Sequence, residues 1–293
     1  MEMNKIHTKL RHNKVNPAAE LTAKLEKLKD RLAGLENALI AYSGGVDSTL
    51  LLKVAADVLG EKLTAVTAHS EVTPPHDYEE AVKFAESLGV NYIVIKTDEL
   101  QDTDFVSNPP DRCYHCKSML FKRLSEIARE KKIKWLLDGS NFDDITDYRP
   151  GSRAAKEFGV ISPLKEAGLT KDEIRALSKE MSLPTWDKAA SPCLASRVPY
   201  GQVITPEKLS RIGQSEEYLR TFGIKELRVR DHGDVARIEF PVDKMFLFLD
   251  ETTRDKIIDK LKSFGYKYVA LDLQGFRSGS LNEVLGIKSD QGQ

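Results

Sequence analysis

The residues best suited to chemistry are the six at 43–48, which read SGGVDS between an apolar stretch and an amphipathic one. The two glycines permit a sharp turn that brings backbone N–H groups close to an anion. A helix starting here adds unpaired N–H groups and the positive end of its dipole, and Asp47 can hold Mg²⁺ against phosphate oxygens. The string predicts a phosphate-binding loop rather than a glycine turn that only connects two elements. Its predicted contacts are Ser43, Gly44, Gly45, Val46, Asp47 and Ser48.

Three cysteines form the second candidate group. Cys113 and Cys116 belong to a CxxC, and Cys193 lies far along the chain in SPCLASRVPYG. An odd number of cysteines argues against a disulfide framework. Three interpretations stay open at this point: inert buried thiols, a zinc site of three thiolates joined by His115, or a 4Fe-4S cluster on three thiolates with one iron open to an outside ligand.

Strands and helices alternate through the first part of the chain. The strands are short and continuously apolar, which is typical of a parallel sheet covered by helices on both faces. The C-terminal ends of such strands collect binding residues, and SGGVDS, AHSE and DGSN all fall there. Thr170 and Glu173 form a capping box that starts a helix. We predict strands over 37–42, 63–68, 91–95, 134–137 and 160–162, and helices over 17–35, 49–58, 76–88 and 113–131.

Near residue 184 the regular periodicity stops. The stretch 184–206 contains four prolines and is long for a mere connection, which hints at function. After it we predict a second, smaller α/β unit, with helices over 206–222, 242–249 and 252–264 and strands over 225–231, 234–240 and 266–271. The expected organisation is a flexible arm at 1–16, a first α/β domain at 17–183, a functional linker at 184–206, and a second domain for substrate binding or oligomerisation at 207–285.

The composition limits the possible partners and location. The 293 residues carry a net charge of −1 and a pI of about 6.6, so no global basic field favours nucleic acid or an anionic membrane. No apolar run approaches the roughly 20 residues that span a bilayer. The first residues are basic and polar, without the hydrophobic core of a secretory signal, and we expect a cytoplasmic protein.

SGGVDS resembles the PP-loop of the ATP pyrophosphatases, a superfamily with an adenine nucleotide alpha hydrolase-like, Rossmann-like fold. The string is neither a Walker loop nor a dinucleotide-binding GxGxxG. The resemblance implies that a substrate oxygen attacks the α-phosphorus of Mg²⁺-bound ATP while pyrophosphate stays in the loop. It also implies ATP contacts from other strand ends, although ordinary strand-end capping explains His69 and Ser70 equally well. These expected contacts are Ala68, His69, Ser70 and Gly139.

The whole arrangement is similar to a more specific family. The PP-loop, the CxxC, SPCLASRVPYG and a final DLQGFRSGSLNE resemble the pyridinium-3,5-biscarboxylic acid mononucleotide sulfurtransferase family over about residues 35–283. The resemblance implies that a pyridinium carboxylate is adenylated and that sulfur then replaces AMP, in making the nickel-pincer nucleotide cofactor of lactate racemase. It also implies a small pyridinium nucleotide as substrate, a sulfide donor and a homo-oligomer, with the hexamer as the expected form.

Two sulfur routes occur in that family. In one, a single cysteine aligned with Cys193 gives up its sulfur and becomes dehydroalanine. In the other, a CxxC and a third cysteine hold a cluster whose open iron presents hydrosulfide to the adenylate. This sequence carries all three cysteines, so the resemblance favours a cluster on Cys113, Cys116 and Cys193, with Cys193 and Asp47 as catalytic residues.

The linker and the second unit supply residues that suit an anionic aromatic substrate. Trp186 can stack on a pyridinium ring, although packing of a long loop explains it as well. Arg228 and Arg230 alternate on a strand and share one face, as phosphate ligands or as a solvated edge. The expected substrate contacts are Ser196, Arg197, Arg228, Arg230, Arg277 and Trp186.

Three other functions share some of these features. A tRNA thiolase would need a basic docking face, and the nearly neutral charge argues against one. An ATP-dependent amidotransferase or ligase would need an ammonia source, and no glutaminase-like domain is visible in the 293 residues. A nucleotide-binding or iron–sulfur sensor module would not release pyrophosphate.

Overall fold

The computed structural model describes residues 16–145, 150–224, 226–277 and 279–286. Its first sheet has four strands in the order β3-β2-β1-β4, and every neighbouring pair is parallel. The predicted parallel α/β fold class is therefore confirmed. All but the last residue of the predicted arm lie outside the described part of the chain. The four strands are β1 (Ala38–Ala41), β2 (Leu63–His69), β3 (Asn91–Lys96) and β4 (Trp135–Leu137).

Helices cover both faces of this sheet. Ala38 and Ile40 of β1 pack in one hydrophobic cluster and Leu39 packs in another, because successive side chains of a strand point to opposite faces. The first cluster includes α1, α2 and α8, and the second includes α5 and α6. The helices of this part are α1 (Pro17–Ala33), α2 (Val46–Leu59), α3 (Pro75–Ser87), α4 (Thr103–Val106), α5 (Arg112–Glu130), α6 (Gly151–Glu157), α7 (Pro163–Ala167) and α8 (Lys171–Glu180).

Two local predictions have different outcomes. The capping box is confirmed, because the Thr170 hydroxyl accepts from the Glu173 N–H and the Glu173 carboxylate accepts from the Thr170 N–H. The strand predicted over 160–162 is wrong in extent. Only one isolated parallel bridge, between Leu137 and Ile161, continues the sheet there.

The second part of the chain forms a separate sheet of three strands. β5 (Arg228–His232) pairs antiparallel with β6 (Val235–Glu239), which pairs parallel with β7 (Tyr268–Leu271). Helices α9 (Pro206–Arg220) and α10 (Glu251–Ser263) contribute to its core. Short 3-10 helices occupy Leu194–Arg197 in the linker, Val242–Leu249 and Ser280–Leu285. Within the described residues, no helix is long and apolar enough to cross a bilayer.

Candidate functional site

The crevice of the first sheet lies where its strand order reverses. β1 has β2 on one side and β4 on the other, and ligands of open α/β sheets bind at the carboxyl ends of strands at such a point. The loops after β1 and β4 meet there, because a Cβ atom on Gly139 would lie 3.0 Å from the backbone N and Cα of Ser48. The structure thus brings SGGVDS and DGSN together.

The SGGVDS loop has the geometry of an anion cradle. Gly44 has a φ of 71°, which favours glycine, and a Cβ there would lie 2.7 Å from the Cβ of Ala81 in α3. The hydroxyl oxygens of Ser43 and Ser48 are 3.0 Å apart. Helix α2 begins directly after Gly45. This glycine has no side chain that could cap the first N–H groups of the helix. These N–H groups are left to bind an anion.

Asp47, in the first turn of α2, has a hydrogen-bond partner for one of its two carboxylate oxygens but not for the other among the described residues. Its Oδ2 accepts from Lys171 Nζ at 2.6 Å, whereas its Oδ1 is buried and has no hydrogen-bond partner among the described residues. A carboxylate oxygen of this kind suits Mg²⁺, which takes oxygen ligands and is bound through one or two carboxylates plus phosphates. The residues present therefore fit the metal that PP-loop chemistry requires.

The end of β2 presents a second unsatisfied polar atom. The ring of His69 stacks on that of Tyr78, with centroids 4.0 Å apart, and its Nδ1 is buried without a partner among the described residues. Ser70 is buried, and its carbonyl accepts from the Thr73 N–H at 3.0 Å. Ala68 packs against the cluster that includes α5. His69 is the member of this predicted group with an atom still available for a nucleotide.

The linker crosses directly to the phosphate loop. Lys188 Nζ donates to the Gly44 carbonyl at 3.3 Å and lies 2.9 Å from oxygens of both Asp77 and Glu80. The Ser191 hydroxyl donates to the other oxygen of Asp77. Burial alone would raise the pKa of Asp77, but the Ser191 hydrogen bond and the Lys188 charge lower it. This part of the linker is therefore tied to α3 and to the loop.

Trp186 lies at the surface of the linker, with 38% of the residue exposed. The Lys179 ammonium is 4.7 Å from its ring centroid, and Arg175 donates to its backbone carbonyl at 2.9 Å. One cation is thus already close to the ring that was predicted to stack on a pyridinium.

The fold brings Cys193 to the CxxC. Cys116 and Cys193 pack against the same hydrophobic cluster, and burial together with the neighbouring Cys193, Glu99 and Cys113 raises the pKa of the Cys116 thiol. Cys113 is exposed at the first turn of α5. No disulfide joins the three cysteines, all of which the structure describes.

The three sulfurs are not gathered as closely as the ligands of a single metal ion. Among the described residues, the three sulfurs do not gather within 4.8 Å of one another, whereas ligand atoms of Asp102, Asp104 and His115 do. A tetrahedral zinc ion with Zn–S bonds of about 2.3 Å would hold its sulfurs about 3.8 Å apart. As placed, the three sulfurs therefore do not form a closed tetrahedral zinc site.

His115 does not turn toward the cysteines as a fourth ligand. Its Nδ1 lies 3.8 Å from Asp104 Oδ2 and its Nε2 lies 3.9 Å from Asp111 Oδ1. Each ring nitrogen of His115 therefore has a carboxylate oxygen as a neighbour.

Arg197 is bonded to several groups of the chain itself. It is fully buried, and its Nε and Nη2 each lie 2.9 Å from an oxygen of Glu216. Its Nη1 donates to the carbonyls of Pro192 and Cys193 and to the Ser196 hydroxyl. These bonds brace the backbone around Cys193, and the substrate contact expected of Arg197 stays a prediction.

The arginines of the second unit differ in how they are neutralised. Arg230 forms a two-bond pair with Glu239, at 2.9 Å for each bond, and also donates to the Ser196 carbonyl at 2.8 Å. Arg277 lies near the surface and pairs with Glu283 at 3.1 Å. Both therefore already have a carboxylate partner, which an additional anion would have to share.

Arg228 is 5% exposed and has no carboxylate partner among the described residues. Its guanidinium donates to the carbonyls of Leu227 and Ala190 and lies 5.0 Å from the ring centroid of Phe276. Burial, and then the charge of Arg197, lower the pKa of Arg228. The Glu216 carboxylate offsets part of this effect, but the hydrogen bonds of the buried cation go to neutral carbonyls, and its burial has a free energy cost that a bound anion would reduce.

Comparison with known proteins agrees with this geometry. The NAD synthase family model matches residues 20–111. Pyridinium-3,5-bisthiocarboxylic acid mononucleotide synthase of Lactiplantibacillus plantarum is 41% identical over 268 residues, which are 91% of this chain and 96% of that protein. The chain belongs to the pyridinium-3,5-bisthiocarboxylic acid mononucleotide synthase family. Membership in this synthase family makes it a PP-loop enzyme, and the predicted family resemblance is confirmed.

Two other similar proteins show over how much of the chain the sequence similarity extends. An uncharacterised protein of Synechocystis is 45% identical over 90% of this chain and 99% of its own length. One component of the glutamine-hydrolysing GMP synthase of Methanocaldococcus jannaschii is 30% identical over 67% of this chain and 66% of its own length. The similarity to this GMP synthase component thus covers about two thirds of each chain.

Sequence analysis missed several residues that contact the predicted site residues. Lys171 contacts Asp47 from 124 positions away, and Lys188 contacts Gly44 from 144 positions away. Glu216, which neutralises Arg197, carries no local pattern that marks it as a partner. The sequence signal for Lys188 was its position in the proline-rich linker at 184–206.

Proposed function

We propose that this chain uses ATP to adenylate a carboxylate of pyridinium-3,5-biscarboxylic acid mononucleotide and then replaces AMP with sulfur to form the thiocarboxylate. The observation that carries the proposal is the connection between the two chemical centres. In a chain of the synthase family, the linker that bears Cys193 is bonded through Lys188 to the Gly44 carbonyl of the phosphate loop.

The first step is assigned to the phosphate loop. A carboxylate oxygen of the substrate attacks the α-phosphorus of ATP, the bond from that phosphorus to the bridging oxygen breaks, and pyrophosphate leaves with the bonding electrons. Ser43, Ser48 and the first N–H groups of α2 would stabilise the charge of the departing pyrophosphate. Asp47 would hold Mg²⁺, which neutralises the phosphate oxygens when bound.

The second step is assigned to the cysteines. A sulfide sulfur attacks the acyl carbon, the bond to the AMP oxygen breaks, and AMP leaves, so the net change exchanges one oxygen for one sulfur without a change of oxidation state. When bound to Cys113, Cys116 and Cys193, a 4Fe-4S cluster supplies an iron with an open position for the sulfide donor. The chain's own task is to hold the three thiolates beside the adenylate and to limit access of water.

The guanidinium of Arg228 donates to carbonyls rather than to a carboxylate. It therefore suits the substrate, which carries carboxylates and a phosphate. We assign Arg228 as the principal anion contact, because among the predicted arginines it alone lacks a carboxylate partner in the described part of the chain. Ser196, Arg230 and Arg277 are assigned secondary positions around it, and Trp186 a position against the pyridinium ring. Among the arginines, this ranking places the one without a carboxylate hydrogen-bond partner ahead of those that have one.

The proposal extends to the setting of the reaction. A sulfide donor must act with the enzyme at each turnover, and cysteines without a disulfide suit a reducing cytoplasm. A homo-oligomer, with the hexamer as the expected form, accords with apolar side chains exposed on the second unit, including Phe246, Leu249 and Leu273.

The experiment that tests this function combines anaerobically purified protein with ATP, Mg²⁺, the pyridinium nucleotide and sulfide. Pyrophosphate release that depends on the nucleotide, together with a product in which sulfur has replaced oxygen, would support the proposal. Pyrophosphate release that depends instead on tRNA would favour the thiolase alternative. Absence of nucleotide-dependent pyrophosphate would contradict the proposed reaction.

A further inference from the structure

We infer that Lys188 is a positioning residue that transmits the state of the ATP loop to the segment carrying Cys193. The inference rests on the proposed function, since it assigns Cys193 to sulfur transfer and the loop to ATP. It adds a physical connection between the two steps, which the loop and the cysteines do not by themselves explain.

The ammonium of Lys188 joins three different elements. It donates to the Gly44 carbonyl at 3.3 Å, and it lies 2.9 Å from Asp77 and 2.9 Å from Glu80 on α3. Its side chain is only 15% exposed, so these contacts replace most of its hydration. Loss of the ammonium would leave the largely buried Asp77 carboxylate without its cation.

The first turn of α3 is also packed against the phosphate loop. A Cβ on Gly44 would lie 3.3 Å from the Asp77 carbonyl oxygen and 2.7 Å from the Ala81 Cβ. The loop therefore moves only if α3 or Lys188 adjusts with it, because the space between them is filled. Gly44, Asp77 and Lys188 form one contiguous unit.

The unit reaches Cys193 over a short length of chain. The Ser191 hydroxyl donates to Asp77, and Cys193 is two residues further on. Cys193 follows Lys188 by five positions, a reach of at most about 18 Å along an extended chain. Just beyond, the Leu194 N–H donates to the Val72 carbonyl at 2.8 Å.

The far end of the linker is held independently of the ATP loop. The Asn108 amide donates to the carbonyls of Val198, Pro199 and Gln202 at 3.2, 2.8 and 3.1 Å, and Arg112 donates to the side-chain oxygen of Asn108 at 2.6 Å. The Cys193 segment is therefore fixed at both ends, and among the contacts of the described residues it is the Lys188 end that reaches the phosphate loop.

Binding of ATP changes the charge that Lys188 experiences. A triphosphate in the loop brings negative charge beside the ammonium and competes with Glu80, whose side chain is 43% exposed. Asp77 keeps the Ser191 hydrogen bond, so a shift of Lys188 passes to the residues that lead to Cys193. A displacement of about 1 Å at a reacting group is enough to change a rate by about 100-fold.

The test compares Lys188→Met with Lys24→Met in the full-length protein. Lys24 is a matched control, because it also lies near two carboxylates, Glu173 at 2.7 Å and Glu20 at 3.5 Å, but these belong to α8 and α1 rather than to α3. One measurement is hydrogen exchange of the 186–196 segment with and without Mg²⁺ and ATP. The other is the amount of thiocarboxylate formed per pyrophosphate released.

In the wild type and in Lys24→Met we expect ATP to change exchange of the 186–196 segment. In Lys188→Met that response should be lost, and thiocarboxylate per pyrophosphate should fall by about tenfold or more. The inference requires both results. A wild type without an ATP response, or a folded Lys188→Met that behaves like Lys24→Met in either measurement, would overturn it.

If Lys188→Met does not fold, a second variant tests whether the 186–196 segment responds to ATP through Asp77. Ser191→Ala removes only the second bond to Asp77 and should weaken the ATP response in the same direction, whereas an unaltered response would overturn the inference. The exchange measurement needs no sulfur transfer. A wild type that responds to ATP but forms no thiocarboxylate would therefore contradict the proposed function and leave the loop connection standing.

Discussion

Lys171 Nζ lies 2.6 Å from Asp47 Oδ2 at the start of the helix that follows the phosphate loop. The other oxygen of the same carboxylate is buried without a partner among the described residues. The lysine thus compensates part of the Asp47 charge, and the other oxygen marks the position from which Mg²⁺ can be bound. This relationship motivates the first prediction.

Replacing Asp47 by alanine should abolish pyrophosphate release and leave the fold intact, because Mg²⁺ would lose its carboxylate ligand. We expect a loss of at least about 100-fold. Asp57→Ala is a suitable control, since Asp57 lies on the same helix and pairs with Lys53 at the surface. Pyrophosphate release at the wild-type rate by a folded Asp47→Ala protein would remove Asp47 from the mechanism.

The glycines offer a prediction about the tight loop. Gly44→Ala would combine a left-handed backbone with a 2.7 Å contact to the Ala81 Cβ, and should lower the free energy of unfolding by about 2–5 kcal/mol. Gly89→Ala has a similar φ of 66° but no atom within 4 Å, and should lower it by about 1–2 kcal/mol. Urea unfolding gives both values. ATP affinity should fall only in Gly44→Ala, and equal effects in the two variants would show that the packing against α3 is unimportant.

Much of the first sheet was predictable because its signals are local. Apolar strands and capping residues such as Thr170 and Glu173 act over a few positions, and SGGVDS carries its own backbone requirements. The strand predicted over 160–162 is a single bridge at Ile161, since a run of three residues does not determine how many backbone pairs it forms with a neighbouring strand.

The site was harder to predict, because its charges are decided by distant partners. Arg197, Arg228 and Arg230 look alike in sequence, yet Glu216 neutralises the first, Glu239 neutralises the third, and Arg228 is left with carbonyls. Which arginine keeps available charge depends on how α9 and β6 pack, and no spacing along the chain encodes that.

This difference between the arginines can be measured. Arg230→Met would remove one of the two arginines that neutralise the buried Glu239 carboxylate and leave Arg237 at 3.2 Å, and should lower the free energy of unfolding by about 3 kcal/mol. Arg228→Met removes a buried cation that lacks a carboxylate, and should cost less than half as much. Its KM for the pyridinium nucleotide should nevertheless rise by at least tenfold, about 1.4 kcal/mol. An unchanged KM in Arg228→Met would refute the assignment of Arg228 as the main anion contact.

Binding to tRNA separates the proposed enzyme from the thiolase alternative. With a net charge of −1, little counterion release is available to drive association, so we expect no tight tRNA binding at about 150 mM salt. A gel-shift titration is sufficient to check this. Submicromolar affinity under those conditions would move the thiolase to first place.

The cysteine variants separate the two sulfur routes. On the cluster route, Cys113→Ser, Cys116→Ser and Cys193→Ser should each lose iron and sulfur transfer, while nucleotide-dependent pyrophosphate release survives because the loop acts independently. On the sacrificial route, Cys113→Ser and Cys116→Ser would still complete one turnover. Iron analysis of each purified variant, paired with product analysis, distinguishes these outcomes.

The most direct measurement of the central claim is a mass spectrum of the complete reaction with ATP, Mg²⁺, the pyridinium nucleotide and sulfide. It counts thiocarboxylate molecules per protein chain and weighs the protein at the same time. We predict many products per chain and an unchanged protein mass. Contradiction would come from ATP-independent product, from no product at all, or from one product per chain with a protein lighter by the mass of hydrogen sulfide.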